Sequence, residues 1–375
     1  MIDTERLVHE FLELVQIDSE TKNERMIADV LTSKFKLYGL EVTEDDSASR
    51  SGHGSGNLIA LLPATEGTDA PKLFFTCHMD TVVPGRGVKP VIGEDGWIRS
   101  SGDTVLGADD KAGVAALLEL IRVLREQEIP HGQIQFVITA GEESGLMGAR
   151  SMDASLLDAD LGFAVDSNGE VGAIAVSAPA QAKITMEVHG KSAHAGVNPE
   201  DGISAIQVAG KAISRMKLGR IDKDTTANIG SFSGGGATNV VTDYAKLEAE
   251  ARSVVQEKVE AQIASMKEAL ESVCEEFGAK PIFDSRIVYP SFGHTEDSEV
   301  VQLAKKAAAQ LGLSGRTFQS GGGSDANVFN GFGVPTVNLS VGYENIHTTE
   351  EKIGVDDLGK LAGFVLEIVR QSVRG

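Results

Sequence analysis

The sequence predicts an α/β protein: a mixed, mostly parallel sheet with helices on both faces, into which a smaller α+β unit is inserted. Three observations carry that prediction. Short apolar runs alternate with amphipathic helical segments through the first half of the chain, the pattern switches near Ala178 to a β-α-β-β-α-β order, and the first pattern resumes after Ser291. With 375 residues the chain also exceeds what one hydrophobic core serves, a size of about 250 to 300 residues. Two domains are therefore expected, residues 1–177 with 291–375 and residues 178–290.

Taken in order, residues 4–38 place Leu7, Phe11, Leu14 and Val15 at helical intervals, and Asp18-Ser19 breaks the run before a second helix. Residues 57–62 and 72–77 are apolar runs of strand length. A Gly-rich stretch at 85–107 leads to an apolar helix at 111–125, and 133–139 and 161–165 again read as buried strands. Continuously apolar strands separated by helices imply a sheet covered on both faces. In the inserted unit, 183–188 alternates as a half-exposed strand, and a helix at 202–216 puts Ile203, Ile206, Gly210 and Ile213 on one face. Strands at 226–232 and 246–254 follow, then a helix with the stripe Ile263, Met266, Leu270, Val273 and Phe277, then a strand at 281–288. That order is ferredoxin-like. The tail adds a helix at 299–311, a Gly-rich loop at 320–324, a buried strand at 335–341 and a final helix at 356–373.

Composition narrows the function. The 41% hydrophobic and 24% charged residues are those of a globular protein. The 55 acidic against 34 basic residues give a net charge of -21, which repels phosphate backbones, so no nucleic-acid partner is expected. No apolar run approaches the ~20 residues of a membrane span, so no membrane partner is expected. Cys77 and Cys274 are too few for a disulfide framework in a chain of this length. The first residues also lack the basic-then-apolar pattern of a secretory signal. A soluble, cytoplasmic protein is the expectation.

The polar candidates stand where strands end, the place at which ligands bind in open α/β sheets. The run 73–77 delivers His78 and Asp80, 136–139 delivers Glu142 and Glu143, 163–165 delivers Asp166, and 337–340 leads to His347. Singly, each has an ordinary reading: a surface histidine, a pair of loop acids, or Asp109 and Asp110 capping the helix that begins near Lys111. Together they do not, because carboxylates gathered without a cation repel and raise one another's pKa. A dication removes that cost. Alternate residues of an extended segment point the same way, so Asp80 is expected to fix the tautomer of a metal-ligating His78. Adjacent Glu142 and Glu143 face different directions, which suits one metal ligand and one proton acceptor; spacing leaves open which is which. Residues 107–113 can present Asp109 at a loop-to-helix junction, whereas Gly321-Gly322-Gly323-Ser324-Asp325 lacks the ending of a P-loop. Cys77 reads as core, and His194, between Gly190 and Gly196, as a lone loop histidine.

Thr76-Cys77-His78-Met79-Asp80-Thr81, the Leu-Gly-Ala-Asp-Asp-Lys-Ala-Gly of 106–113, Gly141-Glu142-Glu143-Ser144 and Ser192-Ala193-His194-Ala195-Gly196 resemble, in this order, the motif series of the dizinc aminoacylase and carboxypeptidase G metallopeptidases. The resemblance extends over nearly the whole chain. It is strongest to the peptidase T branch, the tripeptide aminopeptidases, through 106–113 and the Ile-Pro-His-Gly of 129–132.

It implies a zinc-peptidase-like sheet with the inserted unit as lid and dimerisation domain. It also implies two divalent ions, zinc with manganese or cobalt as alternatives. Asp109 would bridge them, His78 and Asp166 would complete one site, and Glu143 and His347 the other. Glu142 would be the general base, Asp80 the orienter of His78, and the Asp109-Asp110 peptide is expected to be cis. Asp at position 166, where carboxypeptidases and deacylases tend to carry Glu, implies an aminopeptidase acting on short peptides. His194 resembles a lid histidine that polarises the scissile carbonyl. Asn239, Arg252, Gly323 and Asp325 resemble substrate-holding positions, and Arg252 reads equally as a surface strand residue. Two departures stand: the chain is shorter than that branch between His78 and Asp109, and it carries Asn345-Ile346-His347-Thr348-Thr349 where the branch has a His followed by Gly-Lys. Two rival readings stay open, a hydrolase of N-acyl amino acids or carboxyl-terminal residues from the same family, and a binding protein without catalysis. A homodimer through a sheet edge or helix face of the inserted unit is compatible with the sequence, which holds no feature that decides it.

Overall fold

A computed structural model describes residues 2–373. They form two units with separate cores, one of Met1–Ser177, Gly293–Ser320 and Ser324–Gly375, the other of Ala178–Phe292 and Gly321–Gly323.

The sheet of the first unit runs Glu41–Glu44, Leu58–Leu62, Ile134–Thr139, Leu73–His78, Leu161–Ser167, Thr336–Ser340, Ile174–Ala178, with Thr317–Gln319 beside the last. Its four central strands, from Ile134–Thr139 to Thr336–Ser340, are mutually parallel. Those four strands are buried over almost their whole length because helices lie on both faces. Phe74 and Phe75 show the division, since adjacent strand residues point to opposite faces. Phe75 stacks with Phe136 and Phe163 in the core that helix Ala108–Glu126 covers, whereas Phe74 meets Phe329 of helix Asp325–Gly331. Helix Ala108–Glu126 in turn packs against Thr4–Val15 and Val355–Val373, which joins both ends of the described chain in one layer.

The Gly-rich stretch at 85–107 carries strands of its own. Pro90–Ile92 and Trp97–Ser100 pair with Lys352–Gly354 in a small antiparallel sheet. At three and four residues these strands are too short for a periodicity to mark them, and Val91 and Ile92 are exposed.

The second unit has the strand order Gly219–Arg220, Thr225–Gly234, Tyr244–Ser253, Ala180–His189, Lys280–Tyr289, all antiparallel, with helices Ala205–Arg215 and Gln256–Phe277 packed against it. This is the ferredoxin-like arrangement with one added short edge strand. The first helix corrects the expected stripe. Ala205, Val208, Ala209 and Ala212 face the core, Ile206 and Gly210 are exposed, and Ile203 and Ile213 are half-buried. Small side chains let this helix approach its neighbours closely, and a pattern that follows the largest apolar residues misses them. The longer helix buries Met266, Leu270 and Val273, with Ile263 and Phe277 half-buried, as the periodicity predicts. Among the described residues no helix is long and apolar enough to cross a membrane.

Candidate metal centre

His78 closes the buried strand Leu73–His78 opposite Thr139, and its side chain is 1% exposed. Its Nδ1 lies 2.9 Å from the backbone carbonyl of Asp80, which can only accept, so Nδ1 carries the proton and Nε2 faces inward. Nε2 is 3.0 Å from Asp109 Oδ1 and 3.9 Å from Asp166 Oδ1. The carboxylate of Asp80 is at 3.5 Å, beyond hydrogen-bond range. The expected orienter is therefore the main chain of Asp80, while its side chain does other work. Its Oδ1 accepts the backbone N–H of Glu142 (3.0 Å), and its Oδ2 accepts that of Glu143 (3.3 Å) and the hydroxyl of Thr21 (2.8 Å).

Asp109 enters from the irregular first turn of helix Ala108–Glu126. Gly107 there is left-handed (φ 77°), Asp109 and Asp110 keep non-helical angles, and the peptide between them is cis. The two carboxylate oxygens of Asp109 face opposite partners: Oδ1 faces His78, and Oδ2 lies 3.2 Å from His347 Nε2. His347 Nε2 is also 2.9 Å from Glu143 Oε1, and His347 itself has a left-handed backbone (φ 62°). Asp166 is held on two sides. The Asn338 side chain accepts its N–H (3.0 Å) and donates to its carbonyl (2.9 Å), while the Tyr343 hydroxyl donates to Oδ1 (3.1 Å).

The ligand-capable atoms of His78, Asp109 and Asp166 lie within 4.8 Å of one another, as do those of Asp109, Glu143 and His347, and those of His78, Glu142 and Glu143. Such crowding shifts the titration of His78, His347, Asp109, Asp166 and Glu142. For His78 burial opposes the charged form, but the hydrogen bond to Asp109 and the nearby carboxylates of Asp80 and Asp166 outweigh it and hold the ring well above its ordinary pKa. The carboxylates of Asp109 and Glu143 beside it push His347 up to about 10. Burial raises Asp166, and the charge of Asp109 adds to it. Asp109 is lowered in spite of burial, through its bonds to His347 and His78. Burial holds Glu142 well above the usual carboxylate range, with the charges of Asp166 and Asp325 adding.

This set fits divalent cations. Two imidazoles and three acids converge, and Glu143 Oε1 is buried beside His347 without hydrogen-bond geometry to any described residue. Imidazole nitrogen with carboxylate oxygen is a donor set for zinc, manganese or cobalt.

The other expected site residues are distributed as follows. Asp325, in the first unit, is buried; it accepts the Thr139 hydroxyl, and burial raises it to about 6. His194, Asn239, Arg252 and Gly323 belong to the second unit. His194 is exposed, and its Nδ1 accepts the N–H groups of Gly196 (3.1 Å) and Val197 (3.2 Å). Arg252 is paired with Glu250 at 2.8 Å. Asn239 is exposed, and its carbonyl accepts the N–H of Ala195. A Cβ on Gly323 would meet the Tyr289 ring. Sequence reasoning did not single out Thr21, Asn338, Tyr343 or Glu351, whose contacts join segments far apart in the chain.

Comparison with known proteins places these observations in a family context. Residues 177–278 match the peptidase dimerisation domain of the M20 type, and residues 57–197 match peptidase family M28. The structure of an aminopeptidase PepT from Bacillus cereus is 55% identical, covers 100% of both chains and superposes with a TM-score of 0.95. That of a tripeptidase from Staphylococcus aureus is 51% identical with the same coverage and a TM-score of 0.97. The protein YqjE of Bacillus subtilis is 54% identical over 374 residues, 100% of each chain.

Proposed function

Because the chain belongs to the peptidase T-like branch of the dizinc aminoacylase and carboxypeptidase G metallopeptidases, we propose that it removes the amino-terminal residue from short peptides, tripeptides foremost. The observation that carries this reading is Asp109, whose two oxygens each face a different imidazole with a further acid beside it.

His78, Asp109 and Asp166 would hold one cation, and Asp109, Glu143 and His347 a second; zinc suits the set, and manganese or cobalt serve by the same donor logic. When bound, the pair supplies Lewis acidity at the scissile carbonyl and lowers the pKa of water from its bulk value toward about 7. Glu142, whose burial favours holding a proton, takes one from the attacking water and delivers it to the leaving amine as the C–O bond forms and the C–N bond breaks. Asp80 keeps base and ligand apart in direction by holding the main-chain N–H groups of both glutamates. His194 spends Nδ1 on two backbone N–H groups, so Nε2 carries the ring proton and can donate to the carbonyl oxygen. Asn239, Arg252, Gly323 and Asp325 are the candidates for holding the rest of the peptide. The two free, buried cysteines support a reducing, cytoplasmic setting, and the dimerisation-domain match supports pairing of two copies.

Metal analysis combined with a panel of tripeptides, dipeptides and N-acyl amino acids tests the proposal. Two divalent ions per chain, loss of turnover on chelation and preference for a free amino terminus are expected. Turnover of blocked substrates alone would replace this reading with a deacylase. Glu142→Ala should lower kcat by about 10²- to 10⁴-fold with the ions retained. Unchanged turnover in that variant would rule out the assigned base.

A further inference from the structure

Glu351 is 2% exposed and stands four residues beyond His347, yet its carboxylate is spent on a segment about 240 residues earlier. Oε2 accepts the backbone N–H of Leu106 (2.7 Å) and of Gly107 (2.8 Å), and Oε1 accepts that of Asp109 (3.0 Å). These three donors precede the intrahelical bonds of Ala108–Glu126, so no turn of that helix satisfies them. At the other end, Glu344 and Lys352 exchange backbone hydrogen bonds (2.9 and 3.0 Å), closing the residues between them into a loop. Inside it Asn345 and His347 are both left-handed, with φ of 56° and 62°. Asn and His reach that conformation more readily than most residues with a Cβ, but at a cost that the closed loop has to sustain. Glu351 lies at the base of this loop and ties it to the turn that carries Asp109.

We infer that Glu351 is a positioning residue: it sets the separation of Asp109 from His347, and so the affinity of the cation position those two share with Glu143. The inference rests on the two-cation reading above. Glu351 is not itself a ligand, because both of its oxygens face backbone N–H groups. The other position shares Asp109, but its two remaining ligands are braced independently of Glu351. His78 and Asp166 sit on paired strands, Asn338 and Tyr343 hold Asp166, and Asp110 Oδ2 accepts the backbone N–H of His78 at 3.2 Å. Loss of Glu351 therefore acts unequally on the two positions, a signature that general destabilisation does not produce.

Glu351→Gln is the informative change. An amide keeps one acceptor edge and turns an NH2 group toward the donors at the other. Zinc alone is titrated against a competing chelator in the full chain, for wild type, Glu351→Gln and, as a control, the exposed neighbour Glu350→Ala. Hydrogen exchange of residues 105–109 is followed in the metal-free proteins. Glu351→Gln should keep one zinc at wild-type affinity, bind the second about 10- to 100-fold more weakly, and exchange faster at 105–109, while Glu350→Ala matches wild type on every measure. Two zinc ions of unchanged affinity in folded Glu351→Gln, or equal weakening of both, would overturn the inference. Should Glu351→Gln not fold, Glu351→Asp, which shortens the reach but keeps the charge, provides the same contrast. A wild type that binds fewer than two ions would instead remove the two-cation reading, a failure visible before any variant is compared.

Discussion

Lys111 is a cation held almost fully out of water, with Nζ donating to the Ile17 carbonyl at 2.8 Å. Burial lowers its pKa from 10.5 to about 8, although Asp18, Glu351 and Asp80 oppose the shift. A folded-state value below the unfolded one means the unfolded chain binds more protons between the two, so stability rises as pH climbs through that window. The charging penalty is about 3 kcal/mol at neutral pH, of which about 2 kcal/mol is relieved by about pH 9.5. Lys111→Met lacks this term and loses the Ile17 bond as a pH-independent offset. Urea unfolding of the metal-free proteins should show the stability difference between variant and wild type moving by about 2 kcal/mol in favour of wild type over that range. A constant difference would place the charge elsewhere. At this scale the sequence identified the acids and imidazoles that converge, since His, Asp and Glu directly after apolar strands are recognisable one by one. It did not reveal Tyr343, Asn338 or Glu351, nor that Asp80 uses its carbonyl on His78. Those roles consist of which distant backbone group a side chain meets, and no local pattern encodes that.

Among the elements, the turn leaving strand Ile134–Thr139 is built around Gly141, left-handed at φ 69°. A Cβ there would lie 2.2 Å from His53 Nε2, in a ring that also contacts the Ser144 hydroxyl at 2.9 Å. Gly141→Ala combines backbone strain with a clash and should cost at least about 3 kcal/mol. His53→Ala in the same chain removes the clash but not the strain. The double variant should be more stable than the sum of the singles by at least about 1 kcal/mol in thermal or urea unfolding. Additivity would show that the ring moves aside freely. The central strands were legible because sheets buried on both faces demand uninterrupted apolar runs. Pro90–Ile92 was not, being short and exposed, and the face of Ala205–Arg215 was misassigned because alanines rather than isoleucines fill it.

For the molecule as a whole, the five converging residues all belong to the first unit, and the second has a core of its own. Calorimetry should therefore depart from a single two-state transition, with a van 't Hoff enthalpy below the calorimetric one. Chelation should lower the transition of the first unit and leave the second within error, because ions stabilise only the structure that binds them. Movement of both together would mean that the units unfold as one. The sheet order has a temporal consequence as well. Thr336–Ser340 lies between Leu161–Ser167 and Ile174–Ala178, and His347 comes after it in the chain. During translation the strands made before the second unit wait with an open seam until residues made after it thread into their middle. The centre can therefore assemble only after the whole of the second unit has been synthesised, and a nascent copy is inert until then.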